Sequence, residues 1–148
     1  MADNFGLKIG IEGEKEFKKA LSEINQSFKV LGSEMKLVSS QFDKNDKSIQ
    51  ALSARNTVLN KEIDAQRQKI ETLRAALRNA ADSFGENDRR TQNWQIQLNN
   101  AEAALNGMER ELSDNERAIE ALSQEETDAA DATERLSREI AQQEDALA

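Results

Sequence analysis

The sequence contains no cysteine, no histidine, no proline and no tyrosine. Without cysteine there is no disulfide framework, no thiolate nucleophile and no thiolate metal site, so nothing indicates a redox compartment. The lack of histidine removes the usual general base and the commonest metal ligand, and with them most hydrolase mechanisms. We therefore expect no enzymatic activity, no metal site and no cofactor.

Aromatic residues are scarce, at 4% of the 148 residues, whereas charged residues make up 32%. A roughly spherical core needs large rigid side chains, but helices packed side by side need only one apolar stripe each. The net charge of −8 disfavours contact with nucleic acid and with an anionic membrane surface. No apolar run approaches the ~20 residues of a membrane helix. The composition therefore predicts an elongated all-α protein.

Residues 1–13 differ from the rest of the chain. From Phe5 to Gly13 apolar residues alternate with others, which is typical of a short strand ending at glycine. A single strand cannot satisfy its own backbone groups, so we expect residues 5–12 to pair outside this segment or to form a flexible arm. The glycines here match neither a dinucleotide-binding fingerprint nor a P-loop.

From Glu14 onward the apolar spacing alternates between four and three, which is the heptad pattern of a coiled coil. It predicts a first long helix over residues 14–84, a turn at 85–88 formed by Gly85, Asn87 and Asp88, and a second helix over residues 89–148 whose pattern weakens after 122. Gln66, Ala80 and Ala101 occupy positions of the same heptad pattern, although their side chains are small or polar. The predicted seam, the edge along which helices pack, is formed by Phe17, Leu21, Ile24, Phe28, Leu31, Met35, Val38, Phe42, Ile49, Leu52, Asn56, Leu59, Ile63, Ile70, Leu73, Leu77, Phe84, Trp94, Leu98, Leu105, Met108, Leu112, Asn115, Ile119, Leu122, Leu136 and Ile140.

Two arrangements satisfy this seam: an antiparallel hairpin folded at the turn, or a continuous parallel rod assembled from copies of the chain. Residues 14–84 have a net charge of +3 and residues 86–148 a net charge of −10, so the two halves attract. Folding back also brings Arg67 and Arg74 toward Glu102 and Glu109, although exposed pairs of this kind contribute at most ~1 kcal/mol each. Charge therefore favours the hairpin, and the rod remains the alternative.

Polar residues of the seam also match in the hairpin. Folding about Gly85 places Asn56 opposite Asn115, and Asn45 opposite Glu126. Because a buried amide costs least when it meets another polar group, these matches favour the same register. We expect Asn56→Leu to raise thermal stability while loosening the register.

Two other features have simple structural interpretations. The acidic pairs Glu125–Glu126 and Asp128–Asp131 lack the glycine-containing loop of calcium sites, so we interpret them as a solvated helix face. Trp94 lies in the seam close to the turn, and we expect it to cap the core there rather than to contact a ligand.

Three stretches are distinctive as whole strings: NFGLKIGIEGEKEF at residues 4–17, SFKVLGSEMK at residues 27–36, and SFGEND at residues 83–88 leading to WQIQL at residues 94–98. Together they closely resemble the N-terminal region of tail tape measure proteins from long-tailed phages and prophages of Gram-positive bacteria. The likeness runs from about residue 4 to residue 120.

The resemblance implies a ruler that occupies the lumen of the virion tail tube, templates tube polymerisation and fixes tail length, after assembly in the host cytoplasm. It implies tail tube and other tail proteins as partners, while the seam predicts self-association. Since a helix rises ~1.5 Å per residue, a hairpin would shorten the ruler, so fold-back is expected only in the free fragment or at an assembly stage.

Family members are usually several hundred residues or more, so we expect this chain to be an N-terminal fragment to which no enzymatic function carries over. The alternative is a bacterial coiled-coil scaffold or tether unrelated to phage.

Overall fold

The computed structural model describes the backbone of residues 2–43 and 45–147 and the side chains of residues 9–43 and 45–147; Met1 and Ala148, the outer bounds of the expected segments, lie outside this description. The described residues form three helices: α1 (Ala2–Gln41), α2 (Ile49–Phe84) and α3 (Arg89–Leu147). Both α1 and α3 pack against α2, and each runs antiparallel to it. The all-α fold and the fold-back at the 85–88 turn are therefore confirmed.

The N-terminal segment is helical, so the predicted strand at residues 5–12 is wrong. Helix α1 already begins at Ala2. A helix satisfies its backbone N–H and C=O groups internally, whereas a single strand needs a neighbour to pair with. Gly10 lies so close to α2 that a Cβ placed on it would come within 2.5 Å of Ser83 Cβ. Glycine therefore serves a close helix–helix approach here rather than the end of a strand.

The continuous helix predicted over residues 14–84 is also wrong. Helix α1 ends at Gln41, and α2 begins at Ile49 after a loop that contains Phe42. The seven-residue pattern passes through this loop without a change of phase, so periodicity did not reveal the break. Because the chain folds back at this loop, the apolar stripe of α1 packs against a second side of α2. In a straight helix this stripe would remain in water.

Side chains of the loop stabilise the break. The backbone N–H of Ala51 donates to Ser48 Oγ at 3.2 Å, and the N–H of Ser48 donates to Asp46 Oδ1 at 2.8 Å. Arg55 donates to the carbonyl oxygens of Asp46 and Asp43, at 2.7 and 3.0 Å. The hydrogen bonds from Ser48 hold the pKa of Asp46 below its ordinary value. Short polar side chains thus offer the backbone partners that compete with a continuing helix.

The turn lies at residues 85–88, where the sequence placed it. Gly85 has a φ of +91°, a conformation that other residues rarely adopt. Asp88 rather than the exposed Asn87 caps α3, because its Oδ1 accepts the Arg90 N–H at 2.9 Å. The Arg90 side chain also binds this carboxylate, which lowers the pKa of Asp88 and raises the pKa of Arg90. The Arg90 guanidinium also lies 3.5 Å from the centre of the Phe84 ring. Arg90 therefore contacts both the last residue of α2 and the residue that caps α3.

The best-packed part of the core lies toward the turn end of the helices. Trp94 is only 3% exposed there, so its expected place in the core is confirmed. All three helices contribute to this buried cluster, which consists of Leu21, Ile70, Leu73, Ala76, Ala80, Trp94, Leu98 and Ala101. Half-buried apolar residues pack around it, namely Phe17, Leu77, Phe84 and Leu105.

Candidate interaction surfaces

The α2–α3 interface runs along the predicted seam. The buried seam residues of α2 are Leu52, Asn56, Leu59, Ile63, Gln66, Ile70, Leu73 and Ala80, while Ile49, Leu77 and Phe84 are half-buried. On α3 the buried seam residues are Trp94, Leu98 and Ala101, followed by half-buried Leu105, Met108, Leu112, Asn115, Ile119 and Leu122. Burial on α3 therefore weakens steadily with distance from the turn.

Amide side chains make specific hydrogen bonds within this interface. Asn115 Nδ2 donates to Asn56 Oδ1 at 2.9 Å, which confirms that these residues lie opposite each other. Nearer the turn, Gln66 Nε2 donates to the carbonyl oxygen of Ala101 at 2.8 Å in a fully buried setting. The Asn56–Asn115 bond favours one register, because a shift along the helices would leave the buried Asn56 oxygen without its donor.

Ion pairs flank the same interface. Arg67 Nη2 lies 3.1 Å from Glu109 Oε1, and Arg74 Nη2 lies 3.1 Å from Glu102 Oε1, as the charge pattern predicts. All four side chains remain about half exposed, so each pair contributes at most ~1 kcal/mol. The pairs show that α2 supplies the basic side of this interface and α3 the acidic side.

Glu62 of α2 departs from this complementarity. Its partial burial, together with the nearby negative charge of Glu111 in α3, raises the pKa of its carboxyl group. The charged form of Glu62 is therefore mildly unfavourable in the folded chain.

The α1–α2 interface uses a second side of α2 that the single predicted seam did not include. Lys61 Nζ lies 3.4 Å from Glu34 Oε2, and Lys69 Nζ donates to Asn25 Oδ1 at 3.3 Å. From α1, Leu21 and Leu31 are buried and the other predicted seam residues are half-buried, namely Phe17, Ile24, Phe28, Met35 and Val38.

The buried residues of α2 that the prediction missed are small. They are Ala51, Val58 and Ala76. A signal for two of them was present, since Ala51 and Val58 are separated from each other and from Asn79 by multiples of seven residues, and each precedes a predicted seam residue by one position. Alanine and asparagine are too weakly hydrophobic for a repeat that contains them to be recognised from the sequence. Asn79 Nδ2 donates to the Gly10 carbonyl oxygen at 3.2 Å, which places this repeat against α1.

Besides the packing of Leu21 in the buried cluster, a side-chain hydrogen bond links α1 to α3 near the turn. Trp94 Nε1 donates to Glu14 Oε1 at 3.1 Å. The buried indole N–H thereby gains an acceptor, as such groups require. The bond ties the start of α1 to the start of α3, and nothing in the heptad pattern indicated it.

The distal segment of α3, residues 123–147, is exposed along its whole length. The predicted seam residues Leu136 and Ile140 lie there, 58% and 56% exposed, and the chain itself brings no other seam residue against them. The predicted pairing of Asn45 with Glu126 is wrong, because Asn45 belongs to the α1–α2 loop and Glu126 to this exposed segment.

The described residues carry neither a metal-binding cluster nor a membrane-spanning helix. They contain no group of three or more acidic, cysteine or histidine side chains that could hold a metal ion. None of the described helices is both long and apolar enough to cross a membrane. Comparison with known proteins finds no matching family model, no matching curated protein and no matching solved structure.

Proposed function

We propose that the chain is a structural coiled-coil segment of a tail tape measure protein from a long-tailed phage or prophage, and not an enzyme. The observation that carries the proposal is the likeness of three whole strings, at residues 4–17, 27–36 and 83–98, to that family. An elongated helical build supports it, because a helix converts residue number into length at ~1.5 Å per residue. The 59 residues of α3 alone correspond to about 88 Å.

The folded chain is the form that precedes incorporation into a tail, and the extended chain is the ruler. The heptad spacing is unbroken at both chain reversals, as a continuous helix would require. Phe42, Asn45 and Ile49 keep this spacing through the α1–α2 loop, and Phe84 and Thr91 keep it through the turn. Opening both breaks would give a single helix of about 220 Å over residues 2–147. The seam would then face copies of the chain or the tube wall.

The extended segment belongs in the lumen of the tail tube, with tube and other tail proteins as neighbours and assembly in the host cytoplasm. The charge of −8 is consistent with a segment that contacts protein rather than nucleic acid or an anionic membrane.

Deletion of whole heptads tests the ruler. The deletion removes two heptads from each helix, namely residues 23–36, 59–72 and 99–112. These three ranges lie side by side in the folded chain, so the remaining parts of both interfaces keep their register. If the segment is extended in the tail, the loss of 42 residues shortens the tail by ~63 Å; if it stays folded, the helices shorten together by only ~21 Å. Tail lengths measured by electron microscopy, with Gly32→Ala as a control of unchanged length, distinguish the two.

Tails of unchanged length would reject the ruler. Insertion of two heptads at each of the same levels provides the reciprocal measurement and should lengthen the tail by the same amounts. A gene without tail-tube or baseplate genes beside it would instead favour a bacterial coiled-coil scaffold or tether.

A further inference from the structure

The distal segment of α3, residues 123–147, extends past the end of its partner helix. The Asn56–Asn115 bond sets the register, and by that register the start of α2 at Ile49 lies level with Leu122. The 25 residues beyond continue for about 38 Å as a helix with every side chain exposed. In proteins most helical stability comes from packing of an apolar face rather than from intrinsic propensity, so a covering partner would stabilise the segment.

The apolar stripe of α3 continues into this segment in the same phase. Ile140 and Leu147 occupy the heptad position of Leu98 and Leu105 in the packed half, and Leu136 occupies that of Trp94 and Ala101. Leu98 is 6% exposed against α2, whereas Leu136, Ile140 and Leu147 are 58%, 56% and 87% exposed. The distal stripe is therefore a direct continuation of an interface that already binds a helix.

The charge of the segment indicates which kind of helix it fits. Residues 123–147 carry eight acidic and two basic side chains. In the packed half, α3 supplies Glu102 and Glu109 to arginines of α2, and Glu144 repeats their heptad position in the distal segment. A second copy of the same segment would bring acidic flanks together, which is unfavourable in a coiled coil.

We propose that residues 123–147 of α3 are a docking surface for a helix of another polypeptide, one that carries an apolar heptad stripe flanked by lysine or arginine. The bound helix extends the α2–α3 interface beyond Ile49, covers Leu136 and Ile140, and pairs its basic flanks with the acidic ones of α3. The inference does not depend on the tape measure assignment, because it rests on the stripe and the charge alone.

The test uses the whole chain and two synthetic 28-residue helical peptides. Both peptides carry leucine and isoleucine at the same heptad positions, but one has lysine flanks and the other has glutamate flanks. Titration calorimetry should show binding of the lysine peptide, with at least tenfold weaker binding of the glutamate peptide and weaker binding at higher salt. Hydrogen exchange at residues 123–147 should slow when the lysine peptide is bound.

A matched pair of double variants locates the site. Leu136→Ser with Ile140→Ser should weaken binding of the lysine peptide at least tenfold, while Val30→Ser with Leu37→Ser, which changes exposed apolar residues of α1, should leave it unchanged. Both variants should fold, because all four side chains are exposed. Equal binding of the two peptides, or binding that survives the distal variant, overturns the proposal. Sedimentation showing a dimer of the chain that only the distal variant dissociates also overturns it, in favour of a second copy.

Discussion

Asn56 and Asn115 form a side-chain hydrogen bond of 2.9 Å across the α2–α3 interface, where Asn56 is 8% exposed and Asn115 is half-buried. An apolar pair would pack at least as favourably at this level but would tolerate other alignments. Paired amides favour the one alignment in which each finds the other, so this contact contributes more to register than to stability.

Replacement of both amides should separate register from stability. Since Asn56→Leu alone leaves Asn115 to water, it should raise the free energy of unfolding by less than about 1 kcal/mol. Asn56→Leu with Asn115→Leu should raise that free energy by about 1–2 kcal/mol, measured by chemical denaturation.

Register can be measured in the same variants because the chain has no native cysteine. Arg67→Cys with Glu109→Cys should be joined by a short bismaleimide cross-linker more completely in the wild-type background than in the double leucine background. Identical melting and identical cross-linking in both backgrounds would contradict the role assigned to the amides.

The close approach of α1 to α2 at Gly10 should make this position intolerant of any side chain. Gly10→Ala would place a Cβ 2.5 Å from Ser83 Cβ, so it should lower the free energy of unfolding by about 1–3 kcal/mol. Gly32 has no neighbouring atom within 4 Å of such a Cβ, so Gly32→Ala should instead raise that free energy by about 0.5–1 kcal/mol. Thermal unfolding of both variants checks the prediction, and equal shifts would refute the close contact.

The turn should depend on glycine at position 85. Gly85→Ala imposes a side chain at a φ of +91°, which costs of the order of 1–3 kcal/mol in the folded chain but nothing in a straight helix. The variant should therefore shift the population toward an elongated form assembled from copies, measured by small-angle scattering with mass determination. Gly107→Ala lies in an exposed helical position with open space around it, and it should leave particle length and mass unchanged.

The pKa of Glu62 predicts a specific dependence of stability on pH. Its pKa is raised in the folded state, first by burial and then by Glu111, so the folded chain favours the protonated form. The destabilising contribution is therefore absent below the ordinary glutamate pKa and develops as pH rises through the raised pKa of the folded state. Glu62→Gln should raise the free energy of unfolding at pH 7 by less than about 0.5 kcal/mol, a small value because the carboxylate is only partly buried and keeps contact with water.

Comparison at two pH values isolates this effect. Wild type and Glu62→Gln should have the same stability at pH 3.5 and differ at pH 7, whereas Glu125→Gln in the exposed distal segment should match wild type at both. A difference that is the same at both pH values would argue against a titrating Glu62.

The sequence predicted one of the two interfaces well and missed the other for a physical reason. The seam of α2 against α3 contains large apolar residues such as Leu59 and Leu73, whose repeat is easy to recognise. The side of α2 against α1 uses Ala51 and Val58, which share the heptad position of Asn79, and such side chains suit close packing without producing a strong hydrophobic signal. The loop after Gln41 was missed for a related reason, because the heptad phase continues through it and no proline or glycine marks the break.

By itself the sequence determined that the chain is helical, because the heptad repeat is present in the order of residues. Through the turn glycine and the complementary charges of the two halves it also favoured, over a continuous rod, a turn after Phe84 that brings Asn56 to Asn115. Only the tertiary structure decided that α1 is a separate helix on a second side of α2, and that residues 123–147 of α3 remain uncovered. The first depends on which apolar stripes pack against the faces of α2, and the second on where each helix ends relative to its neighbour. Neither follows from a heptad repeat that continues unchanged through every break.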